Sequence, residues 1–146
     1  MTTAGIIRAA MLAIGLSAAV PAGAAGCSMG IINVVFGPYN TLSASSLDGA
    51  GSVSVTCDVT SSFQVALSKG QGSFAARQLQ SGANVLYYNL YTDALRSLIW
   101  GDGTVGTMLV SGSGTAATYT VYGRIPGGQN LPVGSYGDSI TVTLDF

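Results

Sequence analysis

The sequence contains no histidine and no glutamate. Without an imidazole there is no Ser-His or Cys-His catalytic pair and no histidine ligand for a metal. Charge is scarce: five Lys and Arg and six Asp make up 8% of the 146 residues, with a formal net charge of −1. That leaves no basic footprint, so nucleic acid is excluded as a partner. Two cysteines are too few for a thiolate metal cluster. A pair of aspartates could do glycosidase work. Asp93, in Thr92-Asp93, and Asp102, in Gly101-Asp102-Gly103, instead lie where strands end and suit turn chemistry. Gly101-x-Gly103 is too short for a phosphate loop and no helix follows it. No catalytic, cofactor-binding or metal-ligating residue is expected, and the chain does not read as an enzyme.

The N-terminus carries a secretory leader pattern. Arg8 is its only charge, and Ala9 to Val20 is an apolar run of twelve residues. As a helix that run would rise only ~18 Å, short of a hydrocarbon core of ~30 Å. Pro21 breaks it, and Ala22-Gly23-Ala24 supplies small residues for cleavage before Ala25. A cut after Ala25 fits as well. Residues 1–24 are expected to be a cleaved signal peptide, and 25–146 a mature domain with no membrane span. Loss of Arg8 leaves four bases against six Asp, a net charge of 4 − 6 = −2. Cys27 and Cys57 both remain, and in an exported chain such a pair predicts one disulfide. Closing that loop would stabilise the fold by roughly 3–4 kcal/mol. Two free buried thiols are the alternative.

Beyond the leader the pattern is one of short strands separated by Gly, Pro, Ser and Asn. Ile31–Phe36 reads as a first strand, stopped by Gly37-Pro38. Ser52–Cys57 alternates, with Val53, Val55 and Cys57 on one face, where Cys57 could reach Cys27. Phe63, Val65 and Leu67 repeat the pattern in a separate strand. Gln71 to Gly82 reads as a polar connection with apolar islands at Phe74 and Leu79. Val85–Tyr91 follows, with Leu86, Tyr88 and Leu90 sharing a face. Leu98-Ile99-Trp100 is a short apolar run, Thr107–Val110 a short strand, and Thr118–Gly123 a clearer one. The last stretch alternates strictly: Ile140, Val142, Leu144 and Phe146 on one side, Thr141, Thr143 and Asp145 on the other. The set predicts an all-β sandwich of one domain, with no internal repeat. A sheet with such a last strand either closes on itself or leaves an edge awaiting a partner.

Several short motifs share an order and spacing. They are Phe36-Gly37-x-Tyr39, Val53-x-Val55-x-Cys57, Val65-Ala66-Leu67-Ser68-x-Gly70 and Tyr88-Asn89-Leu90-Tyr91-Thr92-Asp93. Trp100-Gly101-Asp102-Gly103, Tyr122-Gly123-Arg124-Ile125-Pro126 with Gln129, and Gly134-x-Tyr136-x-Asp138 complete the set. Together they resemble the spore coat protein U domain family, which includes subunits of archaic chaperone–usher pili. The resemblance implies an incomplete immunoglobulin-like β-sandwich completed by a donated strand. A periplasmic pilus chaperone would lend that strand first. At an outer-membrane usher, the N-terminal extension of another pilus subunit would replace it. Ile140, Val142, Leu144 and Phe146 would form the edge that receives it.

A polymerising subunit of this kind carries its own donor segment before the first cysteine. Here only Ala25 and Gly26 precede Cys27 after the expected cut, about 7 Å of chain against roughly 27 Å for a donor strand. The expected function is therefore an exported structural subunit of a surface pilus, serving adhesion and biofilm formation and suited to end a fibre. The alternatives are a tip adhesin that binds a glycan or surface through its aromatic loops, with Trp100 the residue to test, and a self-contained secreted or coat protein.

Overall fold

The alternating stretches become strands, and their periodicity chooses the core. A computed structural model describes residues 2–10, 16–19 and 26–146. The expected cleavage site at Ala22-Gly23-Ala24 lies outside the described residues. The strands are β1 (Thr2–Ala10), β2 (Leu16–Ala19), β3 (Cys27–Val35), β4 (Leu47–Leu67), β5 (Arg77–Ser81), β6 (Asn84–Tyr91), β7 (Val110–Ile125) and β8 (Gly137–Asp145). There is no helix among the described residues. The chain is all-β, an immunoglobulin-like sandwich.

Two long strands serve both sheets. Ser52–Cys57 and Phe63–Leu67, expected as separate strands, are parts of the single 21-residue β4. The chain stays extended between them and absorbs a register shift between Thr56 and Ser61. Before the shift β4 lies between β3 and the second half of β7; after it, β4 lies between the first half of β7 and β8. A bulge of this kind bends a strand from one sheet into the other. On β7 the matching position is Gly114, opposite Ser61, at φ 120°, which a side chain would disfavour.

Other boundaries also depart from expectation. The first strand of the domain begins at Cys27, not Ile31, because Cys27 and Met29 continue the buried face of β3. The stretch 71–82, read as a connection, contains β5. Its inward residues are Arg77 and Leu79, and an arginine at a core position hides the alternation. Thr118–Gly123 is the middle of a strand that starts at Val110, where Gly112 and Gly114 had masked the pattern. Thr107–Val110 does not form its own strand; Met108 makes only an isolated bridge to Trp100.

The core follows the alternation closely. Val53, Val55, Val65, Leu67, Leu86 and Leu90 are all buried, as are Phe63 and Tyr88. Cys27 and Cys57 are register partners on β3 and β4, and their sulfurs are bonded at 2.02 Å. Close approach of backbones fixes Gly51: a Cβ there would lie 2.5 Å from the Ile32 carbonyl oxygen, under the irregularity of β3.

Candidate strand-accepting edge

The last strand has two faces and two edges. Ile140, Val142 and Leu144 point into the core and are fully buried; Ser139 and Thr141 point out. Phe146, beyond the strand, packs partly buried against the core. One edge of β8 meets the end of β4, with Leu67 opposite Val142 and Gln64 opposite Asp145. Its start touches β5 through Gly137 and Gln80.

The direction of the main-chain groups follows from one residue. Ser68 N–H donates to the Thr141 carbonyl at 3.0 Å, and Thr141 N–H donates to Ser68 Oγ at 2.9 Å. Both polar groups of Thr141 therefore face the β4 side. Since these groups alternate along a strand, those of Asp138, Ile140, Val142 and Leu144 face the opposite edge. That edge is occupied by β1, antiparallel, through nine register pairs from Thr2–Asp145 to Ala10–Gly137. The pairs whose polar groups point at one another are then Ala9–Asp138, Ile7–Ile140, Gly5–Val142 and Thr3–Leu144. Ala10 also pairs with Val35, so the end of β1 reaches β3.

A buried polar group fixes β8 from behind. The Arg77 guanidinium, fully buried, donates from Nε and Nη2 to the Ser68 carbonyl at 3.1 and 2.8 Å. It donates also to the Trp100 carbonyl at 2.6 Å and to Asn89 Oδ1 at 2.7 Å. Because Arg77 takes the Ser68 carbonyl, the Ser68 hydroxyl is left to receive Thr141 N–H. Asn89 Nδ2 in turn donates to the Phe74 carbonyl at 2.8 Å. At the start of β8, Asp138 Oδ2 accepts from Tyr88 OH at 2.7 Å, and Oδ1 accepts from the N–H groups of Gln71 and Ser139 at 3.2 and 2.8 Å. Two polar clusters thus tie the segment after β4 to the inner edge of β8.

Burial sets the electrostatics here. It lowers Arg77 to about 10, still protonated at neutral pH, with Tyr88 and Asp138 acting against the shift. Burial raises the Asp138 carboxyl, partly offset by the hydrogen bonds from Tyr88, Ser139 and Gln71. Tyr88 is pushed well above the usual phenol range by burial first and then by Asp138. These groups are shifted by holding structure together, and nothing in their arrangement presents a nucleophile or a free base.

The structure places Ile140, Val142 and Leu144 with side chains inward and main-chain groups toward β1. Ser68 and Asp138, which help to hold β8 in place, stand in the motifs quoted above without a role assigned to them, and Arg77 gave no signal beyond belonging to a polar stretch. Asp93 and Asp102 do turn work: Asp93 Oδ1 accepts from Ser97 and Leu98 N–H at 2.9 and 3.0 Å, and Asp102 Oδ1 from Thr104 N–H at 3.1 Å. Trp100 does not offer a ring for sugar stacking. It is fully buried and donates Nε1–H to the Val65 carbonyl at 2.9 Å, so it is not the residue on which to test the glycan-binding alternative. A groove of about 360 Å³ lies at the loops before β4 and β8, walled by Tyr39, Leu131, Pro132 and Tyr136 among others.

Fold and edge together define a disulfide-linked immunoglobulin-like sandwich whose last strand carries its hydrophobic face inward and a full main-chain edge outward. The chain belongs to the spore coat protein U domain family, which it matches over residues 13–143. Protein U of Myxococcus xanthus is 37% identical over 136 residues, 83% of this chain and 74% of that protein. Among solved structures, the fold is similar to a chain of the CsuC–CsuE chaperone–tip adhesion subunit pre-assembly complex from the archaic chaperone–usher Csu pili of Acinetobacter baumannii. That likeness has a TM-score of 0.52 and 19% identity, covering 92% of this chain and 44% of that one, so this chain spans less than half of its length. Envelope protein VP37 of white spot syndrome virus superposes at a TM-score of 0.47 and 13% identity, over 99% of this chain and 94% of that one, too loosely to bear on function.

Proposed function

We propose that this chain is an exported structural subunit of a surface pilus or coat, assembled by strand addition at β8. One observation carries the reading: the outer edge of β8 pairs over its whole length with a strand lying antiparallel to it. Residues 1–24 have the composition of a leader, and that strand falls within them. With the leader gone, the main-chain groups of Asp138, Ile140, Val142 and Leu144 lose their partners. An edge of that kind either takes a strand or aggregates. Addition of a strand supplies a hydrogen-bonded ladder and seats alternate side chains, as in donor-strand complementation of pilins.

The partners of this reading are a periplasmic chaperone, an outer-membrane usher and other subunits, and the destination is the cell surface, with adhesion and biofilm formation as the biology. The chain acts by assembling and catalyses nothing. Co-expression of the exported protein with and without its neighbouring candidate chaperone tests it. A soluble one-to-one complex, with aggregation or degradation of the lone subunit, is the expected outcome. A stable mature monomer without a partner would show that the sandwich closes unaided and would remove the basis of the reading. A second reading, a tip adhesin, has the groove at Tyr39 and Tyr136 in its favour. Saturable glycan binding that is lost on Leu131→Ala would support it.

A further inference from the structure

We infer that the hollow on the outward face of β4 and β8, between Lys69, Phe74 and Asp102, binds an acidic sugar unit. The inference is independent of strand addition at the β8 edge. Its walls are held from beneath by Arg77. A buried arginine is costly unless its donors are well matched, so the groups it engages show what it holds together. Three loop segments converge on it. Its guanidinium donates to the Ser68 carbonyl, next to Lys69, and to the Trp100 carbonyl, two residues before Asp102. Through Asn89, which accepts from Arg77 and donates to the Phe74 carbonyl, it reaches the third. The guanidinium carbon also lies 5.6 Å from the centre of the Phe74 ring. Side chains mounted on such a buried support are fixed before any ligand arrives.

The hollow measures about 460 Å³ and also takes in Thr141 and Thr143 of β8. Its polar groups are unengaged. Lys69 is exposed and has no ion-pair or hydrogen-bond partner among the described residues, and the hydroxyls of Thr141 and Thr143 have none either. Asp102 uses Oδ1 alone, accepting from the N–H and the hydroxyl of Thr104 at 3.1 and 2.6 Å. The Thr104 hydroxyl first, and then its N–H, hold this carboxyl below its ordinary 3.8, so Oδ2 is left as a charged acceptor. An ammonium, a carboxylate oxygen, two hydroxyls and part of an aromatic ring complement one ligand class. A pyranose offers a C–H face to Phe74 and hydroxyls to Asp102 and the threonines. A carboxylate on the same ring pairs with Lys69, the only lysine of the chain. Since the hollow opens on the face of β8, a strand added at its edge lies beside the site.

Titration calorimetry with the galacturonic acid trimer, and with its methyl ester as the uncharged counterpart, tests the site. The exported protein is used in the form in which it is soluble, alone or with a bound partner strand. Saturable binding of the acid trimer is expected, tighter than that of the ester at low salt. The two should converge in about 1 M salt, where the screening length is ~3 Å. Lys69→Met, at an exposed position, should weaken the acid about three- to fivefold and leave the ester unchanged. Asp102→Asn, which keeps the turn through Oδ1, should weaken the ester about fivefold. Phe74→Leu, which keeps apolar packing beside Arg77, should weaken both sugars by roughly tenfold. No saturable binding of either sugar at millimolar concentration would overturn the inference. Binding that Lys69→Met and Phe74→Leu leave untouched would overturn it too, by placing the sugar elsewhere. Equal affinity for acid and ester at low salt would overturn the choice of an acidic ligand.

Discussion

Asp138 combines two demands that pull its ionisation in opposite directions. Three donors, Tyr88 OH and the N–H groups of Gln71 and Ser139, favour the carboxylate. Burial opposes it and wins, so the carboxyl titrates above its ordinary 3.8 in the folded chain. The sign of the linkage follows. As pH rises from below 3.8, the unfolded chain gives up this proton first, so Asp138's contribution to stability is full at low pH and is lost as pH passes through the raised value. Asp48, Asp93 and Asp102 shift downward and act oppositely, losing their contribution as pH falls. Subtracting an Asp138→Asn variant from the wild type isolates Asp138. Urea unfolding between about pH 3 and about pH 6 should show that difference falling as pH rises; a flat difference would mean that burial does not govern the group. Arg77 poses the simpler problem of three acceptors converging on one cation. Arg77→Met would leave the Ser68 and Trp100 carbonyls without their donors and should cost about 3 kcal/mol or more by equilibrium unfolding. Gly51→Ala should cost about 1–3 kcal/mol, because the new methyl would meet the Ile32 carbonyl and the backbone of Asn33 and Val34, which cannot swing aside.

At the scale of the element, legibility in the sequence tracked how undiluted the alternation is. β6 and the part of β8 from Ile140 were plain because apolar residues fill every second position there and nothing interrupts them. β5 was invisible because Arg77 stands where a hydrophobe is expected, and only the three carbonyl and amide oxygens around it make that burial tolerable. The halves of β4 looked like two strands because Asp58–Ser62 is polar apart from Val59 and exposed or half-exposed, yet the backbone stays extended to carry the strand between sheets. The β8 edge was legible as a hydrophobic face, but its main-chain direction was not, since that depends on Ser68, a residue distant in sequence. The disulfide belongs to this scale too. It staples β3 to β4 across a sequence separation of 30 residues. A Cys27→Ala/Cys57→Ala double variant of the full chain should lose roughly 3–4 kcal/mol in urea unfolding. A loss much below that would mean that β3 is already held by its neighbours in the unfolded ensemble.

For the whole molecule the consequence is that the staple and the edge are coupled. The occupant of the β8 edge spans from β8 toward β3, meeting Val35 at one end. If β8 takes a strand as proposed, β3 is a wall of the acceptor, and Cys27–Cys57 adds a covalent tie to the ladder that holds that wall to β4. If the disulfide orders β3 before any strand arrives, part of the ordering cost is removed from the binding step. A strand peptide should then bind the oxidised, cut chain more tightly than the reduced one, by about tenfold if roughly 1.4 kcal/mol of ordering is at stake. The same coupling must appear in reverse, because linkage between two equilibria is reciprocal: the bound peptide should make the disulfide harder to reduce by the same factor. Both arms are measurable, the first by titrating labelled Thr2–Ala10 peptide into oxidised and reduced protein, the second by thiol–disulfide equilibration with and without saturating peptide. Agreement of the two factors would establish that export into an oxidising compartment prepares the acceptor as well as the fold. Equal affinities in the two redox states would confine the disulfide to stability and leave β8 alone as the acceptor.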